Sequence, residues 1–108
     1  MTKKQDSIYD LNELQLIQLK KNMFSELESR YFNLLDAERT LKNVENKLYL
    51  ETDFKAQGLT NDKQRNAYVS DQVSSLRFEV DMAKYQLKLQ EDLLKIIDDL
   101  IRHKGGEP

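Results

Sequence analysis

Apolar residues recur in the second half of the chain at alternating steps of three and four positions. This spacing, about 3.5 residues per repeat, is typical of helices that wind around a partner helix and does not match the two-residue period of a strand. The repeat consists of Val69, Val73, Leu76, Val80, Ala83, Leu87, Gln90, Leu94, Ile97 and Ile101. Gln90 alone interrupts it. A glutamine at such a position either sets the register of the paired helices or faces a water-filled end of the bundle.

The first half of the chain carries a shorter repeat of the same kind: Leu27, Leu34, Ala37, Leu41, Val44 and Leu48. Further apolar residues upstream widen this stripe, so we expect that part of the helix to contact more than one neighbour; they are Leu16, Ile17, Met23, Phe24, Tyr31 and Leu35. No Gly or Pro interrupts residues 7–55, and Ser7 is a suitable N-cap. The pattern predicts a first helix over about 7–55, although Leu11, Leu14 and Ile17 would also fit a separate short helix.

A turn is predicted at about 56–60, because Gly58 is free to adopt the left-handed conformation that closes helices. Thr60 or Asn61 would cap a second helix over about 61–103, and Asp62 would complement the positive end of its dipole. The glycines that follow Lys104 end this helix, so the tail 104–108 is expected to be disordered. Two long helices joined by a short turn predict an all-α, antiparallel, coiled-coil-like hairpin that forms a single domain over 1–108.

The tip of this predicted hairpin gathers polar and aromatic side chains that form a candidate contact with a partner. They are Phe54, Gly58, Leu59, Thr60, Asn61, Asp62, Arg65 and Tyr68. Helix capping explains most of these residue types, and Leu59 would fold inward onto the junction. Tyr68 is expected to pack against Phe54.

A second apolar stripe follows the later helix on a different face from the first. Its members recur every three or four residues: Phe78, Met82, Tyr85, Leu89, Leu93, Ile96 and Leu100. One partner helix within a hairpin cannot cover both faces, and large apolar side chains are costly to leave in water. We therefore expect self-association, most simply of two hairpins into a four-helix bundle dimer, although a different protein partner would cover the stripe equally well.

Composition supports long helices, because a third of the residues are charged and the chain has only three glycines and one proline. The net charge of −2 is spread along the chain, which argues against strong binding of duplex DNA by a single chain. There is no cysteine, so disulfides and thiolate metal sites are excluded.

No apolar run approaches the roughly 18 residues of a membrane span, and the basic start lacks the apolar segment of a secretory signal. A cytoplasmic protein is expected.

Candidate chemistry is sparse along the chain. The single histidine, His103, and Asp99 would make a poor metal site at a helix end, and we predict no metal and no cofactor. No Ser/His/Asp set or Gly-rich phosphate loop is present, so an enzyme is not expected. A basic and aromatic group would suit single-stranded nucleic acid, but core packing explains its aromatic members better; the group is Lys20, Lys21, Phe24, Tyr31 and Phe32.

These observations favour a non-enzymatic module that binds another protein through an exposed helix face or through the tip. Two alternatives remain open. One is a nucleic-acid-binding accessory protein of replication or recombination, whose dimer would gather scattered Lys and Arg residues into one stripe. The other is a structural coiled-coil spacer.

The segment from Leu50 to Val69 resembles the central signature of small helical proteins encoded by phages and prophages of Gram-positive bacteria, a family without an assigned function. The matching positions are Asp53, Phe54, Lys55, Asn61, Lys63, Arg65, Ala67 and Tyr68. The resemblance implies a small accessory protein that binds a host or phage protein inside a bacterial cell. The secreted WXG100 hairpins have a similar length, but their Trp-X-Gly turn is Ala56-Gln57-Gly58 here, and we reject that family.

Overall fold

A computed structural model describes residues 7–105 of the chain. Over this range it contains a short 3-10 helix, Ile8–Asp10, and three α-helices: α1 (Glu13–Glu51), α2 (Asp62–Gln72) and α3 (Ser74–Lys104). No residue in the described range lies in a strand. The predicted all-α class is therefore confirmed for residues 7–105.

The first long helix begins at Glu13 and not at Ser7 as predicted. The Ser7 hydroxyl caps the 3-10 helix instead, accepting a hydrogen bond from the Tyr9 N–H at 3.3 Å. Asn12 and Gln15 then form a capping box, in which each side chain accepts the backbone N–H of the other at 2.9 Å. Leu14 and Ile17 belong to α1, so the alternative of a separate short helix that included them is wrong.

The same helix ends at Glu51, four residues before the predicted end, because Asp53 starts a separate turn. The Asp53 carboxylate accepts the Ala56 N–H at 3.1 Å, which competes with continuation of α1. Gly58 has a φ of 75° and closes this turn: the Gly58 N–H donates to the Lys55 carbonyl and the Leu59 N–H to the Phe54 carbonyl. This is the Schellman pattern expected of a left-handed glycine, although it ends a single turn and not the long helix.

The predicted second helix, 61–103, is two helices with a one-residue irregularity at Val73. Asn61 is the N-cap, since its side chain accepts the Gln64 N–H at 2.8 Å, and Asp62 lies in the first turn as predicted. Val73 leaves helical geometry with φ −103° and ψ 12°. Ser74 and Ser75 follow it, and serines compete with the backbone for its hydrogen bonds, so helices commonly bend at such pairs.

The end of α3 differs from the prediction because Lys104 is helical and anchored. The Lys104 ammonium donates to the Tyr9 carbonyl at 2.9 Å and also to the Leu11 carbonyl. The Gly105 N–H donates to the Ile101 carbonyl at 2.8 Å. A disordered tail that starts at residue 104 is therefore wrong for Lys104 and Gly105, and the rest of that prediction, residues 106–108, lies outside the described range.

The chain forms two compact units. The first, here called the terminal unit, contains residues 7–31 and 86–105 of the described range. Its core is the cluster of Leu16, Met23, Leu94 and Ile97, with Leu11, Leu19, Leu27, Leu100 and Ile101 packed against it. Within this unit α1 and α3 run antiparallel: Lys20 forms an ion pair with Asp98, and Arg30 bonds Gln86.

The second unit, here called the turn unit, contains residues 32–85. Its buried apolar residues are Leu34, Val69, Val73 and Val80. Its helices also run antiparallel, because Glu45 forms an ion pair with Arg77 at 3.8 Å and the Tyr49 hydroxyl donates to the Asn66 side chain at 2.6 Å. Every member of the two predicted heptad repeats is buried or half-buried in its unit, so the repeats identified the packed faces correctly.

Candidate functional site

Six large apolar side chains of α3 remain exposed to solvent and define what is called here the exposed face of α3. In the turn unit they are Phe78, Met82 and Tyr85, and in the terminal unit they are Leu89, Leu93 and Ile96. Their exposed fractions run from 38% for Met82 and Leu93 to 64% for Phe78. The sequence placed Leu100 in the same stripe, but Leu100 is half-buried and packs against the core cluster. Large apolar residues that recur every three or four positions along one helix face seldom stay exposed in water. Such a face is usually covered by another molecule.

A groove of about 390 Å³ borders this face in the terminal unit. Its apolar lining comes from Leu19 and Met23 on α1 and from Leu89 and Leu93 on α3. Its polar lining is Glu26, Arg30, Gln86 and Gln90. An apolar groove with a few grouped polar side chains is the usual composition of a surface that accepts a helix from another chain.

The polar end of the groove is organised around Gln90, which is only 8% exposed. The Arg30 Nε donates to the Gln90 side-chain oxygen at 2.6 Å. The Gln90 amide nitrogen donates to the Met23 carbonyl and to the Glu26 carboxylate, both at 3.2 Å. Of the two alternatives for this residue, register setting fits these specific bonds to α1 better than a water-filled position.

Arg30 carries a positive charge, and both side chains that its guanidinium bonds are neutral amides. Its Nη1 donates to the Gln86 side-chain oxygen at 3.1 Å, and its Nε bonds the Gln90 amide. None of the ion pairs found within residues 7–105 includes Arg30. Five N–H donors on a guanidinium are suited to a carboxylate, so the groove contains a half-buried cation that forms no ion pair with an acidic side chain among residues 7–105.

The residues at the predicted tip mostly bond to one another. The Phe54 ring lies 6.1 Å from the Tyr68 ring in an edge-to-face arrangement, which confirms the predicted packing, and 6.2 Å from Tyr49. The Arg65 guanidinium lies 5.9 Å from the Phe54 ring and donates to the Leu59 carbonyl at 3.4 Å. These side chains close the turn, as Gly58 and Asn61 do, and Thr60 and Asp62 remain exposed at the tip.

The aromatic residues on α1 are not core residues, contrary to the expectation from the stripe. Phe24, Tyr31 and Phe32 are all more than half exposed. The stripe placed Phe24 and Tyr31 beside the core, but the side of α1 that packs on α3 in the terminal unit carries Leu16 and Met23 instead. The Lys20 ammonium lies 5.9 Å from the Phe24 ring and pairs with Asp98.

Lys88 on α3 pairs with Asp92, four residues later on the same helix. Its ammonium donates a hydrogen bond to the Asp92 carboxylate at 3.0 Å, and this bond together with the negative charge of Asp92 raises the pKa of Lys88 above 10.5. The raised pKa means that the pair stabilises the fold at lower pH and that this contribution is lost as the pH rises through the raised value. The pair is exposed, so its contribution to stability is small.

Candidate metal ligands do not cluster within residues 7–105. Among residues 7–105, no group of three or more His, Asp, Glu or Cys side chains lies close enough together to hold a metal ion. Asp99, the candidate companion of His103, pairs with Arg102 at 3.0 Å. No helix in the described range is both long and apolar enough to cross a bilayer.

Sequence reasoning missed Glu26, Arg30 and Gln86 as members of the groove. Their signal was weak, because charged and amide side chains on a helix usually face solvent. The i, i+4 spacing of Glu26 and Arg30 beside Met23, one of the residues that widen the first stripe, was the one available clue. Comparison of the chain with protein-family models, with curated proteins and with solved structures finds no match.

Proposed function

We propose that this protein is a non-enzymatic protein-interaction module that works through the exposed face of α3 and the groove beside it. The observation that carries the proposal is the exposure of six large apolar side chains along one helix. Each would bury on the order of 100 Å² against a partner, and burial is favourable by about 25 cal/mol per Å². A helix from another chain is the natural occupant, because the groove has apolar walls and one polar end.

The assembly that best buries the exposed face of α3 is an antiparallel hairpin that pairs with another hairpin into a four-helix bundle. The antiparallel pairing of helices within each unit supports the hairpin. The resemblance of residues 50–69 to phage and prophage proteins supports a cytoplasmic accessory role in a bacterial host, in which the module binds a host or phage protein. Neither a metal nor a cofactor takes part in this function.

Replacing Leu93 with Asp tests the proposal, because a carboxylate on the exposed face would oppose burial of that face. Leu50→Asp is the matched control, since Leu50 is 85% exposed on α1 and lies outside the face. Light scattering over a hundredfold range of concentration should give a larger mass for the wild type and for Leu50→Asp than for Leu93→Asp. Circular dichroism should give the same helicity for all three. If the wild type is larger than a single chain, an equally large mass for both variants would contradict the proposal.

Nucleic-acid binding is a second candidate, favoured by the exposure of Phe24, whose ring lies 5.9 Å from the Lys20 ammonium, and by the exposure of Tyr31 on the same helix. Exposed aromatic rings beside cations are what single-stranded nucleic acid requires for stacking. Binding of a single-stranded oligonucleotide should then weaken steeply with added salt, and Phe24→Ala should weaken it further. Absence of binding at low salt would eliminate this candidate, which the net negative charge of the chain already disfavours.

A further inference from the structure

The exposed face of α3 is spaced almost symmetrically about Leu87. Tyr85 and Leu89 lie two positions before and after it, and Phe78 and Ile96 lie nine positions before and after it. Met82 and Leu93 lie five positions before and six after. All six belong to one continuous helix, Ser74–Lys104. A second α3 that crossed antiparallel at the level of Leu87 would therefore set each exposed apolar side chain opposite another, whereas a parallel copy would set each opposite itself.

Glu26 and Arg30 on α1 share this centre. The midpoint of these two residues is position 28, and their hydrogen-bond partners, Gln90 and Gln86, have position 88 as their midpoint. Position 28 of α1 thus lies beside position 88 of α3 in the terminal unit, one residue from Leu87. A two-fold axis at this level would set Glu26 of each copy against Arg30 of the partner subunit. Such reciprocal contacts are the defining property of a two-fold interface.

We propose that the occupant of the exposed face of α3 is a second copy of this chain, related by a two-fold axis. The axis crosses α3 at the level of Leu87 and α1 between Glu26 and Arg30. This inference rests on the proposed function and specifies its partner. Two observations support it besides the spacing. Arg30 has no acidic partner in the described part of its own chain, and the Glu26 carboxylate beside it accepts a bond only from a neutral amide.

The available area agrees with a dimer of this kind. Six large side chains that are about half exposed offer on the order of 600 Å² of surface per copy. A stable interface buries about 800 Å² per partner, and the groove residues around Glu26 and Arg30 would supply the remainder. A polar pair inside an apolar interface adds specificity, because any other register would bury these charges without partners.

A charge exchange tests the contact between Glu26 and Arg30. In the dimer of Glu26→Arg, both contacts between position 26 of one copy and position 30 of the other join two cations. In the dimer of Arg30→Glu, both contacts join two anions. Each variant alone should therefore dimerise about tenfold to a hundredfold more weakly than the wild type. An equimolar mixture should recover the dimer, because each contact then joins opposite charges. Each variant folds in the same intrachain environment alone and in the mixture, so only contact between chains explains recovery. A mixture as weak as its components would overturn the proposed contact.

Disulfide trapping tests the antiparallel direction, and the absence of native cysteine leaves no background. Phe78→Cys and Ile96→Cys chains should cross-link to each other under mild oxidation, since facing positions satisfy the Cα separation of about 4.4–6.8 Å that a disulfide needs. Neither variant should cross-link to itself, because 18 helical residues at about 1.5 Å each would separate like positions by about 27 Å.

The outcomes separate this inference from the proposed function. Self-cross-linking of Phe78→Cys would indicate a parallel dimer and overturn the antiparallel axis, while the exposed face of α3 remained an interaction surface. A wild-type mass that stayed monomeric over the whole concentration range would overturn the second copy as occupant. Equal masses for Leu93→Asp and Leu50→Asp that both exceed the mass of a single chain would instead remove the proposed function itself, because the chains would then associate through another surface.

Discussion

In the terminal unit the buried side chains are leucine, isoleucine and methionine, whereas in the turn unit they are mostly valine. Leu16 and Ile97 are fully buried in the first, and Val69 and Val73 are fully buried in the second. The terminal unit also buries Gln90 in a bonded network, while the turn unit places its hydrogen-bonded polar groups in the loop around Gly58. The heptad spacing alone does not distinguish the two units.

This difference shows two ways to hold a helix pair together. The terminal unit combines a core of large side chains with one polar network that discriminates among registers. The turn unit buries smaller side chains. Its connection depends on the left-handed backbone of Gly58, which closes one turn, and on Asn61, which caps the next helix. We therefore expect substitutions in the core and polar network of the terminal unit to lower the free energy of unfolding most. Substitutions at the turn of the turn unit should lower it moderately.

The largest effect is expected for Leu94→Ala in the terminal core. Removing a buried leucine next to Met23 and Ile97 should lower the free energy of unfolding by about 2–5 kcal/mol, since lost burial and a residual cavity both contribute. Urea denaturation at one chain concentration would measure it. Leu50→Ala, the same change at an exposed leucine, should stay within about 0.5 kcal/mol of the wild type. A similar cost for both would contradict the assigned core.

Gln90→Ala should lower the free energy of unfolding by about 2 kcal/mol, because it leaves Arg30 Nε without its closest hydrogen-bond partner. The change in unfolding free energy should be smaller for Gln86→Ala, which removes only the exposed bond to Arg30 Nη1. A double-mutant cycle with Arg30→Ala should give a coupling of about 0.5–3 kcal/mol for Gln90. Additive effects would mean that the network is not a unit.

Gly58→Ala should cost about 1–2 kcal/mol in the turn unit. The cost comes from the backbone alone: φ is 75°, while a methyl group at this position would contact nothing within 4 Å. Gly58→Asn should recover part of the loss, because asparagine tolerates the left-handed region. Thermal unfolding of the three proteins would test this order, and an alanine variant as stable as the wild type would refute it.

The smallest of these effects is expected for Asn61→Ala, at about 1 kcal/mol. This variant loses the bond from the Gln64 N–H to the Asn61 side chain at the start of α2. Asn61→Asp should be nearly neutral, because aspartate caps equally well. Equal melting temperatures for the alanine and aspartate variants would show that the cap does not stabilise the turn unit.

The sequence by itself determined the helical class and the packed faces of the helices. Every member of the heptad repeats from Leu27 to Leu48 and from Val69 to Ile101 is buried or half-buried, because periodicity and burial are linked directly in a helix. The sequence also located the left-handed glycine at Gly58 and the cap at Asn61, since these features depend on a few neighbouring residues. It separated the exposed face of α3 from the core, with Leu100 as the exception.

Tertiary structure decided where the helices end and which polar groups meet. The Asn12 capping box and the Asp53 turn each replaced part of a longer predicted helix, because side-chain bonds to the backbone outweigh small differences in propensity. Helical geometry is also interrupted at Val73. The groove around Arg30 also required the fold. Arg30 and Gln90 are sixty positions apart, and only the antiparallel packing of α1 on α3 in the terminal unit brings them within 2.6 Å. Local patterns do not contain the register of such a contact.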